Sequence, residues 1–177
     1  MKRLGARGLI LAAIAVVIGM PRGVCAQGSF QQISGKAFES AIPHDFYLEG
    51  NRIPVESRNA VLLKTPAGAR LVLALIDTSG YSSQIKQKYI GMVITEGSVS
   101  VCSVPLSVGS YGFGLEKPAA SSSEDAKFFL YTQAGDKVGE CAAKKDSAMK
   151  QPKPLTVVLG KEGGARLYLG RYFLELK

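Results

Sequence analysis

The eight residues from Arg70 to Asp77, RLVLALID, constrain the fold more than any other stretch. In an extended chain successive side chains point to opposite faces. Leu71, Leu73 and Leu75 therefore share one face, and Val72, Ala74 and Ile76 share the other. A strand apolar on both faces has to be covered on both, which places it centrally in a sheet. A buried helix of the same composition would need more length and lacks the flanking turns seen here. Upstream, Ala60 to Lys64 is joined to this strand by Thr65-Pro66-Ala67-Gly68, with Pro early and Gly late as a turn prefers.

The rest of the chain reads the same way. Val99 to Lys117, VSVCSVPLSVGSYGFGLEK, is predicted as strand, turn, strand. Its second strand carries Tyr111, Phe113 and Leu115 on one face and leaves the other bare at Gly112 and Gly114, so another group can lie flat on it. Phe46 to Leu48, Ile90 to Glu96, Ala126 to Thr132, Val138 to Ala143, Leu155 to Leu159 and Arg166 to Leu176 complete the set. In the last of these the apolar parity switches, which calls for a bulge or bend at Gly170. Pro54 confines its segment to an edge or loop. Ser82 or Ser83 caps one short helix near residues 82–90, with Ile85 and Tyr89 on its buried side. Gln27 to Ser40 receives no element. The expected fold is all-β: an antiparallel β-sandwich or small β-barrel of about nine short strands at roughly ten-residue spacing.

Residues 1–26 read as a secretory signal peptide. Lys2, Arg3 and Arg7 precede the twelve-residue apolar run Leu9 to Met20, and Val24-Cys25-Ala26 suits cleavage before Gln27. The run is short for a membrane span. The chain is expected to be periplasmic or secreted, with residues 27–177 forming one β domain, not membrane-integral after cleavage. A lipid-spanning barrel would need alternating apolar and polar faces, which Arg70 to Asp77 lacks. Without the leader's four basic residues, 18 basic residues face 14 acidic ones, a net charge of +4 rather than +8. That charge is dispersed over Lys86/Lys88, Lys144/Lys145 and Lys150/Lys153, unlike the dense, aromatic-interleaved patch of a nucleic-acid binder. Two cysteines remain, Cys102 and Cys141, and an even pair in an exported chain predicts a disulfide.

The residues that carry chemistry are sparse. His44 is the only histidine, and Asp45 beside it points to the other side of an extended chain. With no CxxC and one histidine, neither a metal site nor a cofactor is expected. Nucleophile-elbow, zinc-protease, phosphate-loop and dinucleotide signatures are absent from the sequence, and no catalytic residue is assigned. The carboxylates Glu39, Asp45, Glu49 and Glu56 are scattered and would serve a hydrolase only by meeting in three dimensions. Tyr81 and Tyr111, beside glycine-rich turns, are the rings expected to be exposed. With Gly112 and Gly114 they form the candidate ligand-binding residues.

The segment Gly109-Ser110-Tyr111-Gly112-Phe113, preceded by Val104-Pro105-Leu106, resembles the strand, Leu, Gly-x-Tyr, strand hairpin of uncharacterised exported bacterial β-domain proteins over about 15 residues. The resemblance implies an exported β-domain and no activity. The function expected is a binding or accessory module for an unknown protein or small-molecule ligand. The alternatives are an apolar-ligand carrier with a lipocalin-like interior, or a hydrolase using the dispersed carboxylates.

Overall fold

A computed structural model describes residues 28–119, 124–160 and 163–177. The predicted signal peptide lies outside these residues. The chain order is β1 (Gln31–Ile33), α1 (Lys36–Ala41), β2 (Asp45–Leu48), β3 (Asn51–Lys64), β4 (Arg70–Ile76), α2 (Ser83–Lys88), β5 (Gly91–Thr95), β6 (Val99–Val101), β7 (Val104–Leu106), β8 (Gly109–Glu116), β9 (Ala126–Thr132), β10 (Lys137–Lys145), β11 (Thr156–Leu159), β12 (Ala165–Leu169) and β13 (Tyr172–Leu176). The all-β class stands, but with thirteen strands among the described residues rather than about nine, and with a second short helix, α1, in the stretch given no element. All strand pairs are antiparallel.

The sheet runs β1-β3-β4-β5-β8-β9-β10-β13-β12-β11 and curls into a nearly closed barrel. The Phe30 N–H reaches the Gly163 carbonyl at 3.4 Å, so the segment before β1 touches the turn between β11 and β12, at the two ends of the path. The interior holds one apolar core. Leu71 and Leu73 of β4 meet Val93, Phe113, Phe128 and Leu167 there. The opposite side of β4, with Val72, Ala74 and Ile76, faces a second core of Ile42, Phe46, Leu48, Ile53, Ile85 and Tyr89. This is the double burial that Arg70 to Asp77 demanded.

The second core exists because β3 bends. Its pairing with β4 slips between Glu56 and Ala60. Past this bulge the N-terminal half of β3, paired with β2, covers the outer face. A bulge of this kind bends its strand and sharpens the local twist. Pro54 is tolerated inside β3, against expectation. Its carbonyl accepts the Asp77 N–H at 2.9 Å, one residue past the end of β4, so the missing donor falls beyond the ladder.

Two local readings are corrected. The stretch Val99 to Lys117 holds three strands, not two: Cys102 and Ser103, at φ 51° and 66°, make a two-residue turn between β6 and β7. Both central residues in the left-handed region define the turn whose twist suits a hairpin. Arg166 to Leu176 is likewise two strands rather than one, and of the bulge or bend expected at Gly170 the structure shows a full reversal of the chain. Gly170, at φ 68°, and Arg171 separate β12 from β13, with Leu169 paired to Tyr172. The β6–β7 hairpin then fills the fork where β10 and β13 diverge. Val101 pairs with Leu176 of β13, and Val104 packs on Gly139 of β10. Cys102, in the hairpin turn, is bonded to Cys141 on β10, with the two Cα atoms 6.3 Å apart.

Candidate functional site

Helix α2 begins where Ser82 caps it, its hydroxyl accepting the Ile85 N–H at 3.4 Å. Ile85 and Tyr89, one turn apart, point into the outer core. The helix end rests directly on β8, and the two glycines make that possible. A Cβ at Gly112 would sit 2.8 Å from Leu48 and from the Tyr89 ring, and one at Gly114 only 2.2 Å from the Lys88 carbonyl oxygen. The bare strip is thus occupied along most of its length by the chain's own helix end.

Three turns converge beside this contact. Glu49, between β2 and β3, is held at φ 49° with its N–H bonded to the Gln133 carbonyl at 2.7 Å. Its Oε1 accepts from the Lys88 ammonium at 2.5 Å and from the Tyr89 hydroxyl at 2.6 Å. Lys88 donates a further bond to the Gly135 carbonyl at 2.8 Å, between β9 and β10. The same ammonium lies 4.9 Å from the centre of the Tyr131 ring. The bonds from Lys88 and Tyr89 hold the Glu49 carboxyl below the usual carboxylate range, against an opposing effect of burial. Burial, and then the Glu49 carboxylate, push the Tyr89 phenol above its usual value, so it remains a donor.

On the open side of Lys88, between α2 and the β8–β9 pair, lies a groove of about 780 Å³. Gln84, Gln87 and Lys88 form the helix wall. Gly114 to Glu116 form the strand wall, and Phe129 and Tyr131 the remaining lining. Strand β5 starts at Gly91, opposite Phe113, so this stretch of β8 has α2 rather than a strand beside it. The Phe129 and Tyr131 ring centres are 6.3 Å apart at a shallow tilt. Amides, one carboxylate and two half-buried rings suit a ligand with both polar and flat apolar surface.

Of the four sequence candidates, the structure brings only Gly114 into this groove. Gly112 lies under Tyr89 and Leu48. Tyr81 packs on the outer core and its hydroxyl bonds the Arg52 carbonyl, whereas Tyr111 packs on the inner core and bonds the Ser107 carbonyl at 3.0 Å. Both rings are half-buried, and the exposed ring is Tyr47, at 55%. Lys88, Phe129 and Tyr131 were not singled out in sequence. Nothing local marks them, because the helix and the β9 strand meet only across β8. His44 is exposed, and Asp45 turns away to pair with Arg52 at 2.6 Å. The carboxylates find separate partners: Glu49 as above, and Glu56 with Asn59 at 2.6 Å. Among the described residues, His, Cys, Asp and Glu form no group of three or more able to hold a metal ion.

Comparison with protein-family models, with curated proteins and with solved structures returns no match.

Proposed function

We propose that this chain is an exported β-barrel module, periplasmic or secreted, that binds a partner through the groove between α2 and the β8–β9 pair. The observation that carries the reading is the groove itself: a concave surface with convergent amides and rings, held by the Glu49, Lys88 and Tyr89 contacts. Export is supported by the leader sequence and by the bond between Cys102 and Cys141, since such bonds persist in oxidising compartments. A core filled by apolar side chains inside the barrel is the reverse of the polar lumen of a lipid-spanning barrel. No described helix is long and apolar enough to cross a membrane.

The test is a fragment and short-peptide screen followed by amide chemical shifts on the isotope-labelled protein. Ligands are expected to move the resonances of Gln84 to Lys88, Gly114 to Glu116 and Phe129 to Tyr131 together. A Gln87→Trp variant, which fills the groove from an exposed helix position, is expected to abolish those shifts while leaving the melting temperature unchanged. Hits scattered over the barrel, or hits that survive the tryptophan, would overturn the assignment. Amino-terminal sequencing of exported protein should begin at Gln27.

A further inference from the structure

Strand β8 runs past the start of β5, and there its main chain has an edge with no strand on it. The Phe113 carbonyl accepts the Ile90 N–H at 2.9 Å, so the main-chain groups of Phe113 face the β5 side. Along a strand these groups alternate between the two edges, so those of Leu115 face the same way. Strand β9 gives the same answer. The Thr132 N–H bonds the Asp136 carbonyl at 2.8 Å, which turns Thr132 and every second residue before it toward β10. Phe129 and Lys127 are left to bond Gly114 and Glu116, and Leu115 between them faces away. The β5 ladder begins only at Gly91, opposite Phe113. One turn back the chain has entered α2, where the Tyr89 N–H is taken by the Ile85 carbonyl at 3.0 Å. Among the described residues no strand or loop bonds the Leu115 main chain on this side.

Leu115 and Glu116 also line the groove. The Leu115 side chain packs against the inner core, so its main chain is what this wall offers. Opposite stand the amides of Gln84 and Gln87, each able to donate and to accept. The charges are compensated: Lys88 is paired with Glu49, and Glu116 sits directly across the strands from Lys127. We propose that the occupant of the groove is an uncharged, extended segment of a partner protein, which adds to the free edge of β8 as an antiparallel strand. This rests on the groove reading above and names its class of partner. An extended chain presents an N–H and a C=O together on one edge, the complement of the pair at Leu115. Gly114 to Glu116 offers about 10 Å of edge, enough for a core of three residues. A charged segment would find no unopposed charge here to repay its desolvation.

The test screens the oxidised protein against a phage-displayed library of seven-residue peptides. Hits are remade as free peptides and titrated into the isotope-labelled protein. Uncharged sequences are expected to dominate, to move the Gln84 to Lys88 and Gly114 to Glu116 amides, and to slow hydrogen exchange of the Leu115 amide about tenfold or more. N-methylation of the peptide at alternate residues reads the strand directly. Methylation on the parity that faces β8 should weaken binding about tenfold more than methylation on the other. Equal losses for both parities, or unchanged exchange at Leu115 in a complex that moves the groove amides, would refute strand addition and leave the groove reading standing. Charged sequences dominating the hits, or fragments that bind the groove when no peptide does, would overturn the proposed occupant alone. If neither fragments nor peptides move these amides, the groove reading itself falls.

Discussion

At the scale of single residues, Glu49 carries the most consequence. It adopts a left-handed backbone at φ 49°, where a side chain is normally unfavourable, and its carboxylate joins Lys88 and Tyr89 across three turns. The ion pair is neither open nor sealed, its side chains being 22% and 23% exposed. Its value falls between that of a surface pair and the penalty of breaking a buried one, so Glu49→Gln should cost about 1–2 kcal/mol at neutral pH. The acid dependence has a definite sign. The carboxyl is held below its ordinary value of 4.5, so its stabilisation is fully present above that pH and is lost as the pH falls through the lowered value. Thermal melts of parent and variant should therefore differ at neutral pH and converge in acid. A difference that persists or grows in acid would show that the charge is not what stabilises these turns. None of this was readable from the sequence, where Glu49 was one of four scattered acids, because its partners Lys88 and Tyr89 lie 39 and 40 residues away.

At the scale of elements, the seating of α2 on β8 decides whether the groove exists. The helix has six residues, too few to persist by its own hydrogen bonds, so it depends on Ile85 and Tyr89 packing beneath it. Gly114→Ala would set a methyl group against the Lys88 carbonyl, displacing the helix and costing about 1–3 kcal/mol. Gly80→Ala, where a Cβ meets nothing within 4 Å, is the matched control and should change stability by less than about 0.5 kcal/mol. Equal melting temperatures for the two variants would contradict the close seating. The sequence did reveal the helix, a cap at Ser82 or Ser83, its buried pair and the bare glycine face, since each is a local pattern. It did not reveal that the helix itself covers that face. The three-residue β1 and the six-residue α1 escaped for a related reason: elements so short have no full period to detect.

At the scale of the whole molecule, the disulfide locks a hairpin into a gap in the barrel wall. The bond spans 39 residues, for which chain entropy alone gives a stabilisation of about 4 kcal/mol. Replacing both Cys102 and Cys141 with Ser should lower unfolding stability in urea by about that amount, and amide exchange should show the β6–β7 hairpin opening first. A loss under about 1 kcal/mol would mean that the packing of β6 and β7 against β13 and β10 suffices without the bond. The strand-rich class, the double burial of Arg70 to Asp77 and the cysteine pair were settled by the sequence, because alternation, turn residues and cysteine parity are properties of neighbouring positions. Closure into a barrel, the folding of β2 over its outer face, and the meeting of Glu49, Lys88 and Tyr131 were decided by tertiary structure. Those depend on how far β3 bends at its bulge and on which distant strands end up adjacent, and neither quantity is encoded in any single stretch of chain.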